Sequence, residues 1–267
     1  MKIIVFSDLH YFAGDMESAI FNTKKKLVKY ALPMLDKLTE KINSEYKADL
    51  TVNLGDIIQD TTDHDEDIEA LAFIFERLKK INCPCYSVLG NHDLKMMDSV
   101  KEVEEIMEQK SSFSTNAGGY HLVFLTTEVR SELGTERGGC YKAQYLAEDT
   151  LAWLDADLKK NTLPCLIFTH YAIAEDPEVT DGCMFMKNRE QVKKILLESG
   201  KVKAVFCGHQ HRDKELTENG IKYFLLGSMI SDTETEDTPN GVYFEIDLCE
   251  DGFSVNRKRI LKEELSL

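Results

Sequence analysis

Short apolar runs alternate with longer amphipathic segments along most of this chain. Eight runs are rich in Val, Ile, Leu and Phe, and their lengths and β-branched content favour strands over buried helices. They lie at residues 2–6, 50–54, 85–89, 121–126, 163–169, 202–207, 221–226 and 241–246. Apolar residues at helical spacing predict helices at 17–42, 65–81, 100–108, 144–159 and 190–197. Pro33 is expected to kink or divide the first of these helices.

The order of these elements indicates the fold class. Strands and helices alternate in the first half, which predicts an α/β fold with parallel strand pairing, and hairpin-like strands crowd the C-terminal third. The sequence contains no internal repeat and no linker rich in Pro, Gly and Ser. We therefore expect residues 1–267 to form a single domain with a mixed or double sheet.

The net charge of -15 narrows the choice of partners. Proteins that bind long nucleic acids usually present Lys and Arg to the phosphates, so this chain is expected not to bind them. A small phosphorylated substrate is compatible with the charge, because bound divalent cations can reverse the local field.

The cysteines and the lengths of the apolar stretches indicate where in the cell the protein is expected. Seven cysteines are present, an odd number, and several lie inside apolar runs, which is typical of reduced, buried thiols. The N-terminal MKIIVFSD lacks the long apolar region of a signal peptide, and no stretch approaches the length of a membrane span. We expect a cytoplasmic protein that does not enter membranes.

Polar residues follow five of the predicted strands. The five segments are Ser7-Asp8-Leu9-His10, Gly55-Asp56, Gly90-Asn91-His92-Asp93, His170 and Gly208-His209-Gln210-His211. In α/β sheets, ligands bind beyond the carboxyl ends of the strands, where neighbouring loops converge. We therefore expect one pocket that contains Asp8, His10, Asp56, Asn91, His92, His170, His209 and His211.

This set of side chains predicts a metal site. Imidazole nitrogens combined with carboxylate and amide oxygens suit Mn, Fe, Zn or Co, and the absence of cysteine disfavours a closed structural zinc site. With His92 reserved for catalysis, seven candidate ligands remain, which is more than one ion can use. Two divalent ions that share one carboxylate are implied.

In order and spacing, the five segments resemble the motifs of the calcineurin-like metallophosphoesterases, over residues 8 to 211. The resemblance implies two packed mixed β-sheets flanked by helices. It also implies that Asp56 bridges two ions, the first also held by Asp8, His10 and His211 and the second by Asn91, His170 and His209. His92 would be a catalytic group oriented by Asp93. From the residues alone, Asp93 could instead cap a helix that begins near Lys95.

The implied chemistry is hydrolysis of a small phosphate ester by a hydroxide that bridges the two metals. Asn91 and His92 would stabilise the charge on the phosphoryl oxygens, and His92 could protonate the leaving alkoxide. Tyr11 and Tyr171 follow metal motifs, so they could line the substrate pocket or simply pack their loops. His64 lies in an acidic run that is typical of a helix N-terminus, although an additional cation site is an alternative.

Within the family, the sequence is most similar to the bacterial cyclic-nucleotide phosphodiesterase and glycerophosphodiesterase group. Gln59 stands where purple acid phosphatases have a tyrosine ligand. His170-Tyr171-Ala172 departs from the second histidine and prolines common in the bacterial group. A phosphodiesterase is therefore expected, and the alternatives are a phosphomonoesterase of the same fold and a non-catalytic metal-binding scaffold.

Overall fold

A computed structural model describes residues 1–21, 24–128, 144–231 and 237–266. Its strands are β1 (Lys2–Phe6), β2 (Ala19–Phe21), β3 (Lys24–Lys26), β4 (Leu50–Asn53), β5 (Cys85–Ser87), β6 (Phe113–Ala117), β7 (Tyr120–Leu125), β8 (Cys165–Thr169), β9 (Val202–Cys207), β10 (Lys214–Glu218), β11 (Ile221–Leu225), β12 (Val242–Cys249) and β13 (Gly252–Arg259). Its α-helices are α1 (Ala31–Lys41), α2 (His64–Leu78), α3 (Asn91–Leu94), α4 (Val100–Met107), α5 (Glu148–Lys160) and α6 (Arg189–Ser199).

The strands form two mixed sheets and one small hairpin. The five-stranded sheet has the order β13-β12-β1-β4-β5, and the six-stranded sheet has the order β10-β11-β9-β8-β7-β6. Pairing is parallel among β1, β4 and β5 and among β7, β8, β9 and β11, whereas β12, β13, β10 and β6 pair antiparallel with their neighbours. The predicted architecture of two mixed sheets flanked by helices is confirmed.

Alternation along β1 shows how the layers are built, because neighbouring strand residues point to opposite faces. Ile3 and Val5 belong to the core between the sheets, together with Phe124 of β7. Ile4 and Phe6 belong to the core under helices α1, α2 and α4. A third core joins α5 and α6 to the outer face of the six-stranded sheet. The result is a helix, sheet, sheet, helix sandwich.

The predicted helix at 17–42 is largely wrong. Residues 19–21 and 24–26 form the β2–β3 hairpin, and α-helix begins only at Ala31 after a 3-10 turn at Val28–Tyr30. Pro33 neither kinks nor divides the helix, because it lies in the first turn, where a backbone N–H has no helical acceptor. The strands that prediction missed, β6, β10 and β13, are rich in polar residues and lie at or near sheet edges.

Cysteine pairing differs in part from expectation. Cys83, Cys85, Cys165, Cys207 and Cys249 are free thiols, but Cys183 is disulfide-bonded, so the expectation of reduced thiols is wrong for that residue. Cys140 lies outside the described residues. Within the described ranges, no helix combines the length and the hydropathy that crossing a bilayer requires. The cytoplasmic location stays a prediction.

Candidate active site

The loops after β1, β4, β5, β8 and β9 bring the predicted site residues together. Five of these residues have φ angles between 47° and 64°, and they are Asp8, His10, Asp56, His209 and His211. They make up five of the nine non-glycine residues with positive φ in the described chain. Left-handed backbone costs roughly 1–2 kcal/mol per residue and persists only where surrounding structure enforces it. Such strain is characteristic of functional sites.

Two glycines of the polar segments are required because backbones approach closely. A Cβ at Gly90 would lie 2.6 Å from the backbone nitrogen of Asp56, and a Cβ at Gly208 would lie 2.6 Å from Oδ2 of Asp8. Any side chain at either position would therefore displace a candidate ligand. This contact explains in physical terms why Gly precedes Asn91 and His209.

The first cluster consists of Asp8, His10 and His211, all buried. Nε2 of His211 lies 3.1 Å from Oδ1 of Asp8 and 3.1 Å from Nε2 of His10. Ligands that each lie about 2.0–2.2 Å from one ion are separated by about 3 Å. The three atoms therefore have the spacing of donors to a common cation.

The second cluster consists of Asp56, His170 and His209. Oδ2 of Asp56 lies 3.2 Å from Nε2 of His170, and it also lies 3.9 Å from Nε2 of His10 in the first cluster. Oδ1 of Asp56 instead accepts the backbone N–H of His92 at 2.8 Å. Asp56 thus stands between the clusters, as the bridging role requires.

Three of the imidazoles are held by hydrogen bonds on the ring nitrogen that points away from the cluster. Nδ1 of His170 donates to the carbonyl of Leu54 at 2.8 Å, Nε2 of His209 donates to the carbonyl of Cys183 at 3.0 Å, and Nδ1 of His211 lies 2.6 Å from the hydroxyl of Ser231. Metal-binding histidines are commonly fixed in this way.

The remaining donor atoms fit metal ions. Oδ1 of Asp8, Nε2 of His170, Nδ1 of His209 and both side-chain polar atoms of Asn91 are buried without a hydrogen-bond partner in the described structure. Buried polar atoms normally have partners, and exceptions need an explanation. A cation in each cluster supplies one, since nitrogen and oxygen donors of this kind suit first-row divalent metals.

The charge states of these groups are largely those that metal binding requires. Burial lowers the pKa of His10 and lowers that of His209 to about 3, which keeps both rings neutral. Burial acts to raise the pKa of Asp56, but positive charge on His170 and His92 outweighs it and holds the pKa well below its usual range. His170 is the exception: burial opposes protonation, yet Asp56 raises its pKa to about 9.

Asp93 does not orient His92, so that prediction is wrong. Its carboxylate accepts the backbone N–H groups of Asp56 and Ile57, each at 2.8 Å, of Gly90 at 2.9 Å and of Ile58 at 3.2 Å. The bond from Gly90 caps the short helix α3, of which Asp93 is the third residue. The alternative role, as the cap of a helix that begins near Lys95, is also wrong, because α3 ends at Leu94 and α4 begins at Val100. Asp93 therefore fixes the loop that carries Asp56. Burial, followed by the negative charge of Asp56, raises the pKa of Asp93 to about 7.

Asp60 contacts His92 instead. Its Oδ1 contacts Nδ1 of His92, and its Oδ2 contacts the ammonium of Lys95. The side-chain amide of Gln59 also lies 3.4 Å from the same ring nitrogen. Sequence reasoning missed Asp60 because it begins an acidic run that was interpreted as a helix terminus. Its position four residues after Asp56, in the same strand-end loop, was the available signal.

Lys26 is a second site residue that the sequence did not reveal. The residue is 3% exposed, and its Nζ lies 3.3 Å from Nε2 of His92. Burial lowers the pKa of Lys26 to about 8, and the carboxylates of Asp56 and Asp60 oppose that decrease. The sequence predicts a helix at 17–42, and a helix there gives no reason to place Lys26 at the strand ends, where the other site residues lie.

The two tyrosines differ in position. Tyr171 is fully buried, with its ring centroid 4.3 Å from that of His209 and 5.3 Å from that of His170, so it packs against two candidate ligands from within the core. The Tyr11 ring is partly exposed and stacks on Phe73 of α2 at 5.2 Å. Direct substrate contact by either tyrosine stays a prediction.

His64 forms ion-pair contacts on the surface. It begins α2, and its nitrogens lie 3.0 Å from Asp65 and 2.8 Å from Glu102. The preceding Asp63 caps the helix by accepting the N–H groups of Asp65 and Glu66. These contacts agree with the interpretation of the acidic run as a helix N-terminus, and His64 is in neither ligand cluster described above.

A family model described as calcineurin-like phosphoesterase matches residues 1–213, which include every candidate ligand. The chain belongs to the calcineurin-like phosphoesterase family. As a member of that family, it is a metal-dependent phosphoric ester hydrolase, and the two buried donor clusters support a dimetal centre.

Individual relatives within the calcineurin-like phosphoesterase family are distant but cover most of the chain. A probable cyclic nucleotide phosphodiesterase of Xenorhabdus bovienii is 23% identical, over 83% of this chain and 83% of that protein. The 3',5'-cyclic adenosine monophosphate phosphodiesterase CpdA of Escherichia coli is 25% identical, over 85% of this chain and 76% of CpdA. A dimetal phosphatase from Danio rerio has the same fold, with a TM-score of 0.76, 20% identity and coverage of 97% and 96%.

Proposed function

We propose that this phosphoesterase hydrolyses a small phosphodiester, with a cyclic nucleotide as the favoured substrate class. The observation that carries the proposal is the pair of buried donor clusters joined by Asp56, since two metals on either side of one carboxylate suit phosphate ester hydrolysis. The choice of a diester is supported by the relatives named as cyclic nucleotide phosphodiesterases.

Each ion would have four ligands. Asp8, His10 and His211 would hold one ion together with Asp56, and His170, His209 and the amide of Asn91 would hold the other with Asp56. Mn, Fe, Zn and Co all accept such mixed nitrogen and oxygen ligands, so the donor set is compatible with each of them. Mn is the ion with which we would begin.

When bound, the two ions would polarise the phosphoryl group and supply a hydroxide nucleophile near neutral pH. Asn91 and His92 would stabilise negative charge on the phosphoryl oxygens. Because Asp60 contacts Nδ1 of His92, Nε2 is the ring atom that would give a proton to the leaving alkoxide. Asp93 would act indirectly, by holding the loop of Asp56 through four backbone N–H groups.

We also propose that residues 1–267 form one domain. The core between the sheets supports this, since it combines residues of β1, β4 and β12 with residues of β7, β8 and β9 in one cluster. If the two sheets were separated, the apolar face of each that packs in this core would be exposed to solvent.

A substrate panel tests the proposed function. Protein loaded with Mn²⁺ would be assayed on bis-nitrophenyl phosphate, nitrophenyl phosphate, a linear dinucleotide and 3',5'-cyclic nucleotides. Hydrolysis of the diesters with higher kcat/KM than the monoester is expected. Higher kcat/KM on the monoester would favour a phosphomonoesterase, and a metal-loaded protein that hydrolyses none of these esters would contradict the proposal.

A further inference from the structure

We propose that Lys26 is a further catalytic residue. Its ammonium would contact the leaving oxygen of the substrate beside His92 and stabilise the negative charge that develops there. The inference rests on the function proposed above and adds to it a second cationic donor on the leaving-group side.

Contact with His92 places Lys26 at the reacting edge of the ring. Nδ1 of His92 faces Asp60, which leaves Nε2 as the atom directed to the substrate. Nζ of Lys26 lies 3.3 Å from that same Nε2. Two donors at this separation can approach one acceptor oxygen together, because hydrogen bonds of about 2.7–3.2 Å from each nitrogen can meet there.

The surroundings of Lys26 suit a buried cation. A buried ammonium is costly unless nearby groups compensate for the loss of water. The negative charges of Asp56, Asp60 and Asp8 stabilise the protonated form of Lys26. The positive charge of Lys95 partly opposes this effect. A fixed positive charge in a site that excludes water stabilises a developing oxyanion more strongly than it would in solvent.

Backbone contacts fix Lys26 relative to the metal ligands. It forms an antiparallel bridge with Ser231, and the next residue, Leu27, donates its N–H to the carbonyl of Ile230 at 2.8 Å. The hydroxyl of Ser231 in turn lies 2.6 Å from Nδ1 of His211. The β2–β3 hairpin is therefore attached at Lys26 to the segment that supports a candidate ligand.

The same hairpin provides a matched control. Lys25 precedes Lys26 on β3 and is exposed, as expected for neighbouring strand residues that point in opposite directions. Lys25→Met and Lys26→Met remove the same charge from the same hairpin. Only the second removes it from the site.

The test compares an alkyl phosphodiester with a nitrophenyl diester in Mn²⁺-loaded protein. We expect Lys26→Met to lower kcat on the alkyl ester by roughly ten- to a hundredfold, the effect of losing a charged hydrogen bond. The loss on the nitrophenyl ester should be smaller, because that leaving oxygen carries less charge. Lys26→Arg should recover part of the rate on the alkyl ester, and Lys25→Met should match the wild type.

Two measurements without turnover accompany the assay. Mn²⁺ content should be the same in Lys25→Met, Lys26→Met and the wild type. Calorimetry should show weaker binding of inorganic phosphate to Lys26→Met but not to Lys25→Met. Lys26→Gln replaces Lys26→Met if the latter does not fold, and the same results are expected.

Several results would overturn the proposal. They are unchanged kcat on the alkyl ester, equal losses on the two esters, unchanged phosphate affinity, or loss of Mn²⁺ from the Lys26 variant. If the wild-type protein hydrolyses no ester, the proposed function fails instead, and the phosphate affinity of the two variants still tests the position of the Lys26 charge.

Discussion

The carboxylate of Asp60 contacts Nδ1 of His92. A hydrogen bond at one imidazole nitrogen selects the tautomer and the orientation of the ring, and therefore determines what the other nitrogen can do. Both residues are buried, with His92 6% and Asp60 7% exposed, so solvent competes little for this contact. Asp60 is accordingly the residue on which the alignment of His92 depends.

We predict that Asp60→Asn lowers kcat on an alkyl diester by roughly ten- to a hundredfold, as is typical when the partner of a functional imidazole is lost. The ring would keep a neighbour of the same shape but lose the carboxylate that fixes its proton on Nδ1. Steady-state kinetics and metal analysis would check this, with the exposed Asp65→Asn as control. Unchanged kcat, or loss of metal, would show that Asp60 has a different role.

Substitution of Asp93 should have a different effect, because its contacts are with backbone. Asp93→Ala leaves four buried N–H groups without their acceptor, each worth roughly 1–3 kcal/mol when unsatisfied. We expect the free energy of unfolding to fall by about 3 kcal/mol or more and the metal content to decrease, since the Asp56 loop is released. Denaturant unfolding and elemental analysis measure these effects. A stable variant with full metal content would contradict this account.

Asp56→Asn tests the bridge. Oδ2 of Asp56 lies within 3.9 Å of ring nitrogens in both clusters, so removal of its charge should lower the occupancy of both metal sites rather than one. Asp8→Asn is the comparison, because Asp8 belongs to only one cluster. Elemental analysis after Mn²⁺ loading should show close to two ions per chain in the wild type. Loss of a single ion from Asp56→Asn would exclude the bridging role.

The sequence was sufficient to bring the candidate ligands together in one pocket, but not to identify the residues around them. Asp8, Asp56 and His170 each follow an apolar run closely, so a rule about strand ends places them without knowledge of distant contacts. Lys26 has no such local marker. Its strand is three residues long, and its position depends on a bridge to Ser231 from near the other end of the chain. The pattern of apolar residues near Lys26 cannot predict a bridge to a residue so distant in sequence.

The role of Asp93 was mistaken for a similar reason. Its neighbour in sequence is His92, which suggested a contact between the two side chains. In the short helix α3, however, residues next to each other point in different directions. The Asp93 carboxylate consequently reaches backbone N–H groups of the loop after β4, whereas His92 reaches the side chain of Asp60 in the same loop. The packing of two loops against each other determines which side chains are in contact. A sequence motif does not contain that information.

Metal loading should depend on pH through His170. Asp56 raises the pKa of this ring to about 9, so near neutral pH an incoming ion must displace a proton from it. Mn²⁺ affinity should therefore rise with pH, by about tenfold per unit below that pKa. His10 and His209 should add no further proton, because their pKa values are lowered. Calorimetry in two buffers with different ionisation enthalpies counts the protons released. Binding at pH 7 without proton release would be inconsistent with this prediction.

His92→Ala separates catalysis from metal binding. His92 is not one of the seven proposed ligands, although Nε2 lies 3.9 Å from Oδ2 of Asp56. The variant should therefore keep both ions and its fold while losing a proton donor. General acid catalysis is typically worth roughly a hundred- to ten-thousandfold, so a loss of that order is expected on an alkyl ester.

The same variant should lose less on a nitrophenyl ester, because a good leaving group needs little protonation. Comparison of kcat on the two esters, with metal content measured on the same samples, checks the prediction. Loss of metal would make His92 a ligand, and an unchanged rate on the alkyl ester would remove it from the mechanism. In the double variant with Lys26→Met, the combined loss should be smaller than the product of the two single losses, because both donors act on one oxygen.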